Sequence, residues 1–216
     1  MIKSFKNIFS KIATRIYLAG KLNYESALIK SLYSKGNIDP TVRFNPATKL
    51  QNLSKNKDSI TIGKQSNIEG LLLVYAYGGN IKIGDYCSLS PNSRIISTKN
   101  ISIGNRVLIA HNVNIIDNNS HPINEELRHK DFVESYTIGM QPHDLNAASI
   151  IIEDDVWIGH NSTILKGVKI GKGAIIGACS LVTKDIEAWS VNVGNPLRII
   201  KYLRDKEINP HENSIC

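Results

Sequence analysis

Residues 152–183 read IEDDVWIGHNSTILKGVKIGKGAIIGACSLVT, and they decide the fold. Ile152, Ile158, Ile164, Ile170, Ile176 and Val182 stand at an unbroken spacing of six. A small or aliphatic row accompanies them at Val156, Ser162, Val168, Ala174 and Ser180. A six-residue repeat matches neither the period of a helix nor the alternation of a strand. A fixed short repeat calls for a solenoid. One residue in each six points inward as a core aliphatic, and a small residue helps turn the corner. Three flat sides then make one coil of a triangular prism. A single coil cannot bury its apolar row, so coils must stack. The expected fold is an all-β solenoid.

Upstream, the same pattern recurs in shorter runs. Ile62-Gly63 and Ile68-Glu69 open it, Ile83-Gly84, Leu89-Ser90 and Ile95-Ile96 continue it, and Ile103-Gly104, Ile109-Ala110 and Ile115-Ile116 form a further coil. The register slips at Leu72–Asn80 and at Ser97–Asn100, where Gly78, Gly79 and Asn80 suit a turn or bulge. From His121 to Ala148 the hexads vanish into a polar stretch with Pro122, Gly139 and Pro142. A long irregular insertion in a compact solenoid is more often functional than accidental. The solenoid is therefore expected over 60–193, with a loop insertion at 121–149.

Residues 2 to about 35 read as helix. Phe5, Ile8, Phe9, Ile12 and Ile16 follow helical spacing, with Lys3, Lys6, Lys11 and Arg15 on other faces. Such a segment either caps the solenoid end or lies as a basic amphipathic helix on a membrane surface. Residues 40–59 read as a polar connector, so 1–59 forms a helical segment and connector. Gly194-Asn195-Pro196 makes a turn, Leu197–Lys206 reads as a short basic helix, and the tail from Asn209 frays. These make up the last segment, 194–216.

Length and composition fit one soluble domain: 216 residues, 42% hydrophobic and 21% charged. The net charge of +7 fits an anionic ligand or membrane face. No basic run is interleaved with aromatics, which ranks nucleic acid last. Cys87, Cys179 and Cys216 show no metal-ligand spacing, and a reduced, cytoplasmic setting suits them. Cys179, inside a hexad, reads as a small wall residue. No apolar run reaches the ~18 residues of a membrane span. Six histidines form no helical metal pair, and neither a Gly-x-Ser-x-Gly elbow nor a phosphate loop is present. No metal site is expected.

His121, in Asn119-Ser120-His121-Pro122, stands where the coils give way to the insertion. Pro122 restrains it to extended geometry. Its position alone leaves a polar loop-entry residue and a cleft-facing base equally open. Likewise Thr183 and Lys184 read either as the end of the last coil or as cofactor contacts. Arg198 and Lys201 read either as a basic surface or as phosphate ligands.

The hexads, Ser120-His121-Pro122, Trp157-Ile158-Gly159-His160, Val182-Thr183-Lys184-Asp185 and Gly194-Asn195-Pro196 with Arg198 together resemble the hexapeptide-repeat acyltransferases, nearest to their galactoside, maltose and polysaccharide O-acetyltransferases. The resemblance runs over roughly Ile60–Lys201. It implies a left-handed parallel β-helix and a homotrimer with sites between neighbouring prisms. It also implies His121 as the catalytic base and acetyl-CoA as co-substrate. Gly159, His160 and Ala178 would line the pantetheine groove, Thr183 and Lys184 would lie near the cofactor, and Arg198 and Lys201 would contact its phosphates. The family often has a small residue in place of His160, and its galactoside branch has an arginine in place of Lys201.

The reading that follows is an acetyl-CoA-dependent O-acetyltransferase of a sugar hydroxyl, serving surface polysaccharide synthesis. Its partner is a sugar or glycan acceptor, and peripheral membrane contact would run through the N-terminal helix. Tyr86, Asp117 and His143 are candidate acceptor contacts, and Asp117 is close enough in sequence to orient His121. His111 is expected to face solvent in its turn. Two alternatives remain: an N-acetyltransferase of an amino sugar or xenobiotic, and a non-catalytic or zinc-binding hexapeptide trimer.

Overall fold

The computed structural model describes the backbone of residues 2–204 and the side chains of residue 11 and of residues 13–204. The side chains of the row expected at Phe5, Ile8, Phe9 and Ile12, the tail from Asn209, and Cys216 fall outside what is described.

The hexads fold as their spacing demands, into a left-handed parallel β-helix. Among the described residues its three faces are parallel sheets of six, eight and six strands, the eighth strand of the second sheet being antiparallel. The isoleucine rows become vertical ladders. On the first face Ile101 pairs with Ile81 and Ile150, on the second Ile109 pairs with Leu89 and Ile158, and on the third Ile115 pairs with Ile95 and Ile164. Ile60, Ile81, Ile101, Ile115, Ile150, Ile158 and Ile164 are all 0% or fully sealed from solvent in that core. Each ladder position thus buries one aliphatic side chain, worth about 1.5–3 kcal/mol apiece before the chain's ordering entropy is set against it.

The corners are built from left-handed backbone. Gln65, Tyr86, Arg106, Asp155 and Gly173 have positive φ on the corner from the first face to the second. Asn92, Asn112, Asn161 and Cys179 do the same on the corner from the second to the third. Asn tolerates this region through its short polar side chain, which accounts for its recurrence there. Cys179 is therefore an exposed corner residue rather than part of the wall.

Three expectations change. The solenoid starts at Asn37, because Asn37–Ile38, Arg43–Phe44 and Lys49–Asn52 already form a coil where a connector was expected. Val42, Phe44 and Leu50 supply its inward positions, and its other residues are polar because this end coil has water on more sides. The insertion is not irregular throughout: it holds α2, Glu125–Thr137. The short basic helix expected at Leu197–Lys206 is instead a strand, Arg198–Tyr202, antiparallel to Ser190–Val193. The turn at Gly194-Asn195-Pro196 sends the chain back along an open sheet edge, and β-branched Ile199 and Ile200 suit a strand there.

The N-terminal helix α1, Ile2–Leu32, closes the first coil only with its last turns. Leu32 is buried, Ile29 packs against the core, and Tyr33 stacks edge-on against Phe44 with ring centres 5.1 Å apart.

Candidate active site

The insertion leaves the third face after Asn114–Ile116 and rejoins the first face at Ile150. Strand Ile101–Ile103 pairs directly with Ile150–Ile152, so the excursion leaves the stack intact. Its two roots are stitched together: the Asn119 amide donates to Leu145 O at 3.0 Å, and the Ala148 amide to Asp117 O at 2.9 Å. Lys99 and Lys166 add donations to Ala147 O and Asn146 O. The corner therefore presents the insertion from a rigid base.

Asp117 is part of that base. Its carboxylate is fully buried and accepts from Ser97 Oγ, from the amides of Thr98 and Lys99, and from Asn118 Nδ2. Sealed and fully engaged, it neither touches an acceptor nor orients His121, and both expectations for it are corrected.

The carboxylate that holds His121 comes from α2. His121 Nδ1 lies 2.7 Å from Asp131 Oδ2. A carboxylate offers only acceptors, so Nδ1 donates, and in the neutral imidazole that leaves the lone pair on Nε2. The histidine side chain is 58% exposed while that of Asp131 is 11% exposed, so the imidazole faces outward from a sheltered anchor. Helix α2 is placed for this. Asn124 caps it by accepting from the Leu127 amide at 2.9 Å, and Glu125 and Glu126 complement its first turn. Arg128 donates back to Ile123 O at 2.8 Å, tying the His121-Pro122 loop to the helix.

His143 lies behind this pair. Its Nε2 is 2.9 Å from Glu134 Oε2 and 3.8 Å from Asp131 Oδ1, and its side chain is 12% exposed. It braces the two α2 carboxylates from the return segment, largely closed off from solvent within the single chain. Two tyrosines that sequence reasoning passed over stand on the same corner, two coils up. The Tyr75 amide donates to Ser97 O, beside the residues that hold Asp117, and the Tyr75 and Tyr77 ring centres are 5.4 Å apart. Burial, then Tyr75 and Asp131, pushes the Tyr77 hydroxyl up to about 12. Burial, then Asp131 and Asp117, also raises Tyr75. Both therefore stay neutral hydroxyls beside the His121 corner. Only the Tyr-x-Tyr-Gly-Gly run at a register slip marked them in the sequence.

The remaining candidates lie elsewhere. Tyr86 is on the corner between the first and second faces, with Lys64 Nζ 5.9 Å from its ring centre, and shares no corner with His121. His160 and Ala178 are exposed on the corner between the second and third faces. There His160 stacks on His111, with ring centres 5.0 Å apart and 7° between planes. Gly159 is buried, and a Cβ there would come within 2.6 Å of Ala178 N, so it serves close coil approach. Lys184 and Arg198 line one cleft of about 460 Å³ at the C-terminal end, together with Asp185 and Glu187. Thr183 is exposed beside it, and Lys201 is exposed further along the last strand. Among the described residues no group of three or more His, Cys, Asp or Glu is placed to hold a metal ion.

His121 and the His160–Ala178 corner thus occupy different edges of the third face within one chain, while the sequence pattern that carries them matches known proteins. Residues 149–184 match the family model for the bacterial transferase hexapeptide (six repeats). The chain is 35% identical over 147 residues to the galactoside O-acetyltransferase of Escherichia coli K12, covering 68% of this chain and 66% of that protein. It is 32% identical over 148 residues to a protein named putative lipopolysaccharide biosynthesis O-acetyl transferase WbbJ, also from Escherichia coli K12, covering 68% of this chain and 74% of that protein. The chain belongs to the bacterial hexapeptide transferases. The galactoside enzyme is matched over slightly less than two thirds of its length. A likeness of fold extends to AntD, an N-acyltransferase from Bacillus cereus, with TM-score 0.63 and 20% identity over 85% of this chain and 92% of that one. The hexapeptide transferase fold accounts for the ladder and corners. The His121–Asp131 pair is read directly from this chain.

Proposed function

We propose that this chain is an acetyl-CoA-dependent O-acetyltransferase acting on a sugar hydroxyl in surface polysaccharide synthesis, with His121 as general base. The observation that carries the reading is the outward-facing His121 imidazole held through Nδ1 by Asp131. Its Nε2 takes the acceptor hydroxyl proton as the oxygen attacks the thioester carbonyl. The carbon–sulfur bond breaks, and the imidazolium returns the proton to the departing thiolate. Asp131 keeps the imidazole in the required tautomer and favours its cationic form during the step, as in other histidine–carboxylate pairs. No acyl-enzyme is needed.

The named relatives support the chemistry. One is a galactoside O-acetyltransferase and another a putative lipopolysaccharide O-acetyl transferase, and the AntD structure contains coenzyme A with an amino sugar nucleotide. For the cofactor, the exposed His160–Ala178 corner offers a flat wall for a pantetheine arm. Lys184 and Arg198, brought to one cleft, offer cations for its phosphates. Thr183 borders that cleft, and Lys201 extends the positive strand.

Because His121 and His160 lie on different corners of one prism, a complete site needs the corner of a second copy. The insertion carries a surface suited to that. Ile123, Leu127, Phe132, Tyr136, Ile138 and Met140 are all exposed apolar side chains on or beside α2. A homotrimer, each insertion lying on its neighbour, would cover them and bring base and groove together. The reading carries a cytoplasmic location, since acetyl-CoA is made and used there.

His121→Ala should lower kcat for acetyl transfer by about 10²–10⁴-fold. Calorimetric CoA binding should be unchanged. Full turnover in the variant, measured as free thiol release, would remove the base assignment. Transfer confined to amine acceptors would remove O-acetylation.

A further inference from the structure

Helix α1 has 31 residues, which at about 1.5 Å per residue makes it roughly 45 Å long. Only its last turns touch the solenoid. From Ala13 to Tyr24 every residue is exposed, and Ile16, Tyr17, Leu18, Leu22 and Tyr24 are among them. Large apolar side chains left in water along one element mark a surface that something covers. A cleft of about 700 Å³, lined by Ile16, Tyr17, Tyr24, Leu28 and Pro46 among others, lies under the same helix.

Charge identifies the cover. Residues 1–35 hold Lys3, Lys6, Lys11, Arg15, Lys21, Lys30 and Lys35 against the single acid Glu25, which is six of the seven net positive charges of the chain. The other residues, 36–216, are close to neutral. Glu25 is already 3.9 Å from Lys21. Packing copies of this helix on one another would gather cations with almost no acids to meet them, which disfavours a second copy as the occupant. An anionic surface gains from every one of those cations. Among the described residues no helix is long and apolar enough to cross a membrane. Exposed Ile, Leu and Tyr on a lysine-rich helix instead suit a position in the headgroup region, apolar side chains inserted and cations at the phosphates.

We propose that α1 docks the protein on an anionic lipid bilayer surface, the helix lying in the plane of the interface. The inference stands apart from the acetyltransferase reading, because α1 carries none of the proposed catalytic or cofactor residues.

The test is sedimentation of the full chain with vesicles of phosphatidylglycerol and phosphatidylcholine, against phosphatidylcholine alone, at about 0.1 M and about 0.5 M salt. Binding to the anionic vesicles, lost on the neutral ones and weakened by salt, is the expected result. The triple variant Lys11→Glu, Arg15→Glu, Lys21→Glu should bind at least about a hundredfold more weakly, at roughly a tenfold per 1.4 kcal/mol and about 1 kcal/mol for each cation removed. The double variant Ile16→Ser, Leu22→Ser should also lose binding although the charge is unchanged. Circular dichroism and light-scattering mass should match wild type in both variants. Equal binding to both vesicle types, or no binding, overturns the proposal. So does full binding by the double variant, which would mean adsorption to any polyanion. A lower mass in either variant would make a second copy the occupant.

Discussion

His121 carries two constraints at once: Pro122 holds its backbone extended, and Asp131, ten residues on, holds its ring. The motif around the histidine was legible in the sequence. Its partner was not, because ten residues of polar insertion give no period that says which carboxylate folds back. Asp117, nearer in sequence, looked the better candidate and is instead sealed under five donors. Asp131→Asn keeps the size of the anchor and removes its charge. It should lower kcat by on the order of 10²-fold, with the KM for acetyl-CoA unchanged, a split that steady-state kinetics would read directly. A fall in KM affinity without loss of kcat would assign Asp131 to binding.

Among the elements, each coil depends on how closely its neighbours approach. Gly173 has φ +66, and a Cβ there would lie 2.1 Å from Trp189 Cε3. Gly139, in the insertion, also has positive φ (+91) but faces open space. Gly173→Val should therefore cost roughly 2–5 kcal/mol, from left-handed strain plus overpacking. Gly139→Ala should cost about 1 kcal/mol, from backbone strain alone. Thermal unfolding of the two variants separates the effects, and equal losses would contradict the packing account. Cation–π contact of Arg204 over the Trp189 ring, at 3.5 Å, closes the same end of the prism. The last strand shows why element type is hard to read at a solenoid end. Arg198–Tyr202 has the polar spacing of a short helix, but an unpaired edge of the second sheet offers it backbone hydrogen bonds.

For the whole molecule, the positions of the functional groups matter more than their presence. The third face separates the His121 corner from the His160 corner, so on the proposed reading one chain holds two half-sites. If the exposed apolar side of α2 seats a neighbour, Tyr136→Asp with Ile138→Asp should weaken the trimer and lower acetyl transfer. The melting of each chain should change little, since both side chains are exposed in the single prism. Light scattering would show the change of mass, and a wild type that is a single chain in solution would remove the shared site.

By itself the sequence determined the solenoid, because a six-residue aliphatic period has one way to bury its row. It also marked the place of the insertion, and it marked His121 through the Ser-His-Pro run. The first coil escaped notice since an end coil is wetted on more sides and keeps fewer aliphatics. Only the tertiary structure decided that Asp131 holds His121, that Tyr75 and Tyr77 stand on the same corner, and that the last segment is a strand. It also decided that Lys184 and Arg198 meet in one cleft. These are contacts between residues brought together by stacking and by a folded-back insertion, and no local periodicity encodes them.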